Sequence, residues 1–112
     1  MKARVPQGYG KPDMNALRMQ AQKMQADIQA KQEELESTEY TGTASGGLVE
    51  VTLTGKHQVT ALHIKPEAVD PEDIEMLEDL IAAAVNDAVR LADEAAETEM
   101  GKITGGLNFP GL

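Results

Sequence analysis

Two long segments of the chain carry apolar residues at spacings that alternate between three and four. In the first segment these residues are Met14, Leu17, Ala21, Met24, Ile28 and Leu35. In the second they are Ile74, Leu77, Ile81, Ala84, Ala88, Leu91 and Ala95. This period is typical of amphipathic helices. It predicts one helix over about residues 13–37 and another of about 30 residues, which at ~1.5 Å per residue span roughly 37 and 45 Å.

Helix boundaries are suggested by the residues that flank each segment. Asp13 is a suitable N-cap for the first helix. Asp70 followed by Pro71 predicts the start of the second helix, with Asp70 as the cap and proline at the first helical position. Gly101 predicts its C-terminal end.

The segment between the two predicted helices is rich in β-prone residues and turn signals. In residues 48–54, Val49, Val51 and Leu53 alternate with polar side chains, which predicts a strand with one buried face. Residues 40–43 and 59–64 are β-prone as well. The chain is therefore expected to form an α+β fold of order α-β-β-β-α, with a three-stranded antiparallel sheet.

The length of 112 residues favours one domain. Glycines and prolines predict a flexible N-terminal arm at residues 1–12 and a flexible tail at 102–112, on either side of a domain at 13–101. A compact chain of this size has a radius of gyration near ~13 Å. Because the two helices would project beyond such a body, we expect a homodimer with protruding helical arms.

Composition removes several classes of function. The chain has no cysteine, which excludes disulfides and thiolate metal sites. The first residues lack an apolar signal core, and the longest apolar run is Leu80 to Val85, so we expect neither a secretion signal nor a membrane partner. With three aromatic residues in the chain, stacking on unpaired bases is disfavoured.

Charge is distributed unevenly along the chain, although the net charge is −9. Residues 1–31 hold six basic and two acidic side chains, a balance of +4. Residues 32–112 hold four basic and seventeen acidic side chains, a balance of −13. Net charge alone therefore does not decide whether the partner is nucleic acid.

Basic side chains of the first helix are the candidate DNA contacts. On a helical wheel Lys11 and Arg18 lie on one flank of the apolar seam, and Lys23 lies on the far side. Lys31 borders the seam, where its long side chain can snorkel. An ordinary solvated helix face accounts for the same pattern, so charge alone leaves both interpretations open.

Sites for catalysis or metal binding are weakly supported. The acidic residues around Asp70–Asp79 fit a helix start, where acids are favourable without a ligand. His57 and His63 have no second histidine at ligand spacing, and Gly46 and Gly47 fit a hairpin turn better than a phosphate loop. We therefore expect no enzyme activity, no cofactor and no metal.

Six stretches of the chain form a recognisable combination: LRMQAQKMQ at 17–25, QEEL at 32–35, GGLVEV at 46–51, IKPEAVDP at 64–71, EMLEDLIAAAVNDA at 75–88 and MGKITGGL at 100–107. Taken together they resemble the YbaB/EbfC family of bacterial nucleoid-associated proteins. The resemblance covers nearly the whole chain in the same order. It implies a homodimer whose helical arms embrace double-stranded DNA, located in the cytoplasm on the nucleoid and linked to chromosome organisation and gene regulation.

The resemblance also bears on individual residues and partners. Lys23 matches the family pattern, and Arg90 stands where basic residues are usual, which adds Arg90 to the candidate DNA contacts. The family's gene neighbourhood implies replication or recombination-repair proteins as partners. The alternative function is a non-catalytic protein-interaction module with little DNA affinity. The acidic second helix favours that alternative, and the basic first helix favours DNA binding.

Overall fold

The computed structural model describes residues 13–105. Its helices and strands are α1 (Met14–Ser37), β1 (Glu39–Ala44), β2 (Val49–Thr54), β3 (Val59–Ile64) and α2 (Ile74–Thr104). Short 3₁₀ turns lie at Ser45–Gly47 and Pro66–Ala68. The predicted α-β-β-β-α order is confirmed. The predicted N-terminal arm and residues 106–112 of the predicted tail lie outside the described part.

The three strands form an antiparallel sheet in the order β1-β2-β3. Val49, Val51 and Leu53 of β2 are almost fully buried, and the residues between them are half-buried. This confirms the alternation predicted for this strand, because successive side chains of a strand point to opposite faces.

Helix α2 packs across β1 and β2 through small side chains. Its buried residues are Ala84, Ala88 and Ala92, one turn apart from each other. Gly42 of β1 faces them so closely that an added Cβ would lie 2.2 Å from the backbone nitrogen of Ala88. At Gly42 the backbones of α2 and β1 are therefore in direct contact.

The start of α1 agrees with the sequence, since the Asp13 carboxylate accepts from Asn15 N–H at 3.0 Å. The start of α2 was predicted wrongly. Asp73 is the N-cap and accepts from Met76 N–H at 3.2 Å. The Asp70 carboxylate instead accepts from Glu72 N–H at 2.9 Å and closes a separate turn before the helix.

The predicted end of α2 at Gly101 is wrong as well. The helix continues to Thr104, so residues 102–104 belong to α2 and not to a tail. Glycine ends a helix when it adopts a left-handed conformation. Among the described glycines only Gly46 and Gly47 have positive φ, and both lie in the turn between β1 and β2.

Helices α1 and α2 pack against each other in antiparallel directions. Lys31 of α1 lies beside Glu99 of α2, whereas Met24 lies beside Ile103 near the end of α2. Moving toward the C-terminal end of α2 therefore means moving toward the N-terminal end of α1. At ~1.5 Å per residue, the N-terminal section of α1, Met14–Met24, extends roughly 15 Å beyond the end of α2.

This packing covers much of the apolar surface that the sequence suggested a second copy would cover. The sheet buries the alanines of α2, and the end of α2 half-buries Ile28, Lys31 and Leu35 of α1. The chain is elongated nonetheless, with a radius of gyration of 23.7 Å, against about 13 Å for a compact domain of this size. None of the helices within residues 13–105 has a stretch long and apolar enough to cross a membrane.

Candidate nucleic-acid interface

Arg18 lies on the section of α1 that extends beyond α2, and its side chain is exposed. Within residues 13–105 no carboxylate lies within ion-pair distance of it. Its guanidinium can therefore meet a phosphate without first losing a protein partner. Lys11, predicted on the same flank, lies outside the described residues.

Lys23 lies on the same section and forms an ion pair within one helix turn. Its Nζ is 3.1 Å from Asp27 Oδ2, and the two side chains are 77% and 50% exposed. An exposed pair of this kind is worth only about 0.3–0.5 kcal/mol. A phosphate can therefore compete with Asp27 for this ammonium group.

Lys31 is half-buried in the seam between the two helices, as its place beside the apolar residues suggested. Its Nζ lies 3.1 Å from Glu34 Oε2 and 3.2 Å from Glu99 Oε1. Hydrogen bonds to Glu34 and then to Glu99 raise the pKa of Lys31. Glu99 also contacts Lys102, and hydrogen bonds from Lys102 and Lys31 lower the pKa of Glu99. Lys31 thus joins α1 to α2.

Arg90 is held by two carboxylates of its own helix. Its guanidinium nitrogens lie 2.7 Å from Asp87 Oδ1 and 2.9 Å from Glu94 Oε1. Asp87 also accepts from the backbone N–H of Thr43 at 3.0 Å. That hydrogen bond, followed by the one from Arg90, lowers the pKa of Asp87. Hydrogen bonds to Asp87 and Glu94 raise the pKa of Arg90.

Two further cations have no ion-pair partner within the described part of the chain: Lys56 and Lys65. Lys56 lies in the turn between β2 and β3, and Lys65 follows β3. Sequence reasoning missed them because it ranked basic residues by their place on a helix face. Their position next to predicted turns was the only available signal that they would be exposed.

Acidic side chains give the end of α2 the opposite character to the N-terminal section of α1. Asp93, Glu94, Glu97 and Glu99 lie where α2 runs beside α1. The section Met14–Met24 carries two cations and no acid. The part of α1 that extends past the acidic end of α2 therefore has the charge that suits a polyanion.

The histidines are involved in contacts within the fold. His57 Nε2 lies 3.0 Å from Asp93 Oδ1, which links the turn after β2 to α2. His63 is paired with Glu50 in the sheet register. Residues 13–105 contain no cluster of three histidine, aspartate or glutamate side chains that could hold a metal ion.

Comparisons with known proteins show the family to which this chain is related. Residues 10–107 match the model of the YbaB/EbfC DNA-binding family. A nucleoid-associated protein of Alkaliphilus metalliredigens is 53% identical over 103 residues, covering 92% of this chain and 90% of that protein. A nucleoid-associated protein of Clostridium acetobutylicum is 50% identical over 105 residues, covering 94% of each.

A solved structure shares the fold. An uncharacterized protein of Helicobacter pylori superposes with a TM-score of 0.65 at 22% identity, covering 83% of this chain and 98% of that one. The match to the family model covers both helices and the sheet between them. The chain therefore belongs to the YbaB/EbfC DNA-binding family.

Proposed function

We propose that this protein binds double-stranded DNA as a homodimer with little sequence specificity. In this proposal it is a non-enzymatic nucleoid-associated protein of the cytoplasm that contributes to chromosome organisation and gene regulation. The observation that carries the proposal is the exposure of Arg18 and Lys23 on the part of α1 beyond the acidic end of α2. The family match and the names of the relatives support DNA as the partner.

The five predicted contact residues contribute unequally in this proposal. Arg18 and Lys23 are the main contacts, and Lys11, which lies outside the described residues, stays a predicted contact. Lys31 and Arg90 must each give up two ion pairs before they can bind phosphate. We therefore expect them to contribute less. Lysine and arginine on phosphates fix the position of the protein without reading base edges, which explains the low specificity.

A salt titration tests the DNA contacts. If Lys11, Arg18 and Lys23 of both copies contact phosphate, six contacts give log affinity against log salt a slope of roughly −5. The double variant Arg18→Ala/Lys23→Ala should weaken binding to random duplexes uniformly and flatten that slope. Fluorescence anisotropy at several salt concentrations measures both quantities.

The matched control is Lys56→Ala/Lys65→Ala, which removes the same charge away from α1. We expect this control to retain most of the affinity and of the slope. Equal losses in the two double variants would mean that only net charge matters. Unchanged binding in the α1 variant would exclude the N-terminal section of α1 as the DNA site.

The second function we consider is a non-catalytic module that binds replication or recombination-repair proteins. The acidic side chains between Asp93 and Glu99 on α2 favour it, because they would suit a basic protein partner. If the unmodified protein does not bind duplex DNA even at low salt, the protein-interaction function is favoured over DNA binding.

A homodimer is supported by the uncovered side of the sheet. Leu62 and Ile64 of β3 pair in register with Val51 and Val49, so they share the face that packs on α2. Helix α2 covers mainly β1 and β2, and Leu62 and Ile64 stay 47% and 36% exposed. The other exposed large apolar residues that follow along the chain are Val69, Ile74 and Met76. A second copy placed here would cover both this apolar face and the outer edge of β3.

A further inference from the structure

The N-terminal section of α1 leaves an apolar stripe uncovered. The stripe consists of Leu17, Ala21, Met24 and Ile28, which lie three or four residues apart on one face. Met24 and Ile28 are half-buried near the end of α2, whereas Leu17 is 45% exposed. The stripe therefore continues past the point where α2 stops covering it.

The end of α2 lies directly beside this stripe. Ile103 lines one cavity together with Gln20, Lys23 and Met24. Because the two helices are antiparallel, chain that continues beyond Thr104 in the direction of α2 runs along α1 toward Met14. The residues that follow, 106–112, read GLNFPGL and contain no charged side chain.

We propose that residues 106–112 of the same chain cover the apolar stripe of α1, with Leu107 and Phe109 as the anchors. In an extended segment these two side chains point to the same face. Seven extended residues reach roughly 23 Å, more than the roughly 15 Å of α1 that remains beyond Met24. The segment thus has the length, position and apolar side chains that the stripe requires.

The alternative occupant, α1 of a second copy, fits less well. The section Met14–Met24 carries Arg18 and Lys23 without any acid, so two such sections placed together would repel each other. Residues 106–112 contain no cationic side chain and so avoid that repulsion. The segment is also joined to α2 next to the stripe, which gives it a high effective concentration there.

A segment on the stripe would also affect the helix that carries the candidate DNA contacts. The section Met14–Met24 has about eleven residues, and an isolated helix of that length is marginal in water. A covering segment would stabilise the helical form of this section. It would thereby fix the positions of Arg18 and Lys23, and this holds whether or not the protein binds DNA.

Disulfide trapping tests the contact directly, because the chain has no cysteine of its own. The variant Ala21→Cys/Leu107→Cys places one thiol on the stripe and one on the proposed anchor. The control Ala26→Cys/Leu107→Cys places the first thiol about 140° away around α1. Under mild oxidation we expect an intramolecular disulfide at least ~10-fold faster in the first variant than in the control.

Two outcomes of the trapping experiment would overturn the proposal. Equal rates in both variants would show that the C-terminal segment does not prefer the stripe. Disulfides between two chains, which migrate at twice the chain mass on a non-reducing gel, would show that a second copy occupies it instead.

Hydrogen exchange supplies a second, independent readout on the full chain without DNA. Phe109→Ser should speed amide exchange in residues 14–24 by several-fold, because it removes an anchor. Asn108→Ser is the matched control and should leave exchange there unchanged, since its side chain points away from the stripe in an extended segment. Unchanged exchange in Phe109→Ser would contradict the proposal.

Discussion

At the scale of single residues, carboxylates decide which cations are available to a ligand. Lys31 and Arg90 each contact two carboxylates, whereas Arg18 has none within residues 13–105. The carboxylate of Asp87 has a structural role as well. It accepts hydrogen bonds from the backbone of Thr43 and from Arg90, and so connects the middle of α2 to β1.

Replacement of Asp87 by alanine should lower the free energy of unfolding at neutral pH, because both hydrogen bonds are lost. Since the pKa of Asp87 is lowered in the folded state, its carboxylate stabilises the fold above the usual aspartate pKa of about 3.9. This contribution disappears as the pH falls through the lowered value. The stability difference between Asp87→Ala and the unmodified protein should therefore shrink in acid below about pH 4.

Urea unfolding across this pH range measures the effect, with Asp79→Ala as the control. Asp79 is exposed on the same helix and accepts no side-chain hydrogen bond within the described residues. A pH-independent difference for Asp87→Ala, or an equal effect in the control, would contradict the assigned role.

At the scale of elements, the contact between α2 and β1 depends on the absence of side-chain atoms. A Cβ at Gly42 would lie 2.2 Å from Ala88 N and 2.5 Å from Ala84 O, which are backbone atoms that cannot move independently. Gly101, in contrast, has no atom within 4 Å of an added Cβ. An added side chain is therefore not tolerated at Gly42, whereas Gly101 has room for one.

The same substitution at these two glycines should change stability in opposite directions. Gly42→Ala should destabilise the fold by at least about 1–3 kcal/mol, because overpacking forces α2 away from β1. Gly101→Ala should stabilise it by about 0.5–1 kcal/mol, because alanine favours a helix interior. Thermal and urea unfolding measure both changes. If Gly42→Ala leaves the free energy of unfolding unchanged, α2 does not approach β1 as closely as the structure shows.

At the scale of the whole molecule, one helix is too narrow to cover a three-stranded sheet. Helix α2 has many contacts with β1 and β2, and β3 is left with an exposed apolar face. The antiparallel pairing of α1 with α2 then moves the basic section of α1 away from the sheet. Dimerisation through β3 would place two such sections on one particle.

The proposed dimer predicts a solution mass of twice 12.0 kDa at micromolar concentration. Leu62→Asp should weaken association at least ~100-fold, because an unpaired carboxylate would be buried in the interface. The control Met19→Asp changes a residue of α1 that is 68% exposed and should leave the dimer intact. Sedimentation velocity measures both variants.

Two results would contradict different parts of this prediction. A cooperatively unfolding monomer for the unmodified protein would exclude the dimer itself. A stable dimer in Leu62→Asp would exclude β3 as the interface and leave the DNA-binding proposal untouched.

Three local features of this protein were determined by the sequence alone. The seam of α1, the Asp13 cap and the alternating strand β2 depend on residues within a few positions of each other, and all were predicted. The basic residues of α1 were also visible in the sequence. Their spacing did not reveal that Lys31 would contact Glu99, because the two residues are far apart in the chain.

The tertiary structure decided which surfaces are covered and which charges remain available. Ala92 joins the core, and the exposed face of β3 appears, because α2 crosses the sheet over β1 and β2. The antiparallel contact between α1 and α2 pairs the Lys31 ammonium group with Glu99 and leaves Arg18 beyond the acidic residues of α2. These outcomes depend on packing between segments that are distant in the chain, and no local pattern of residues contains that information.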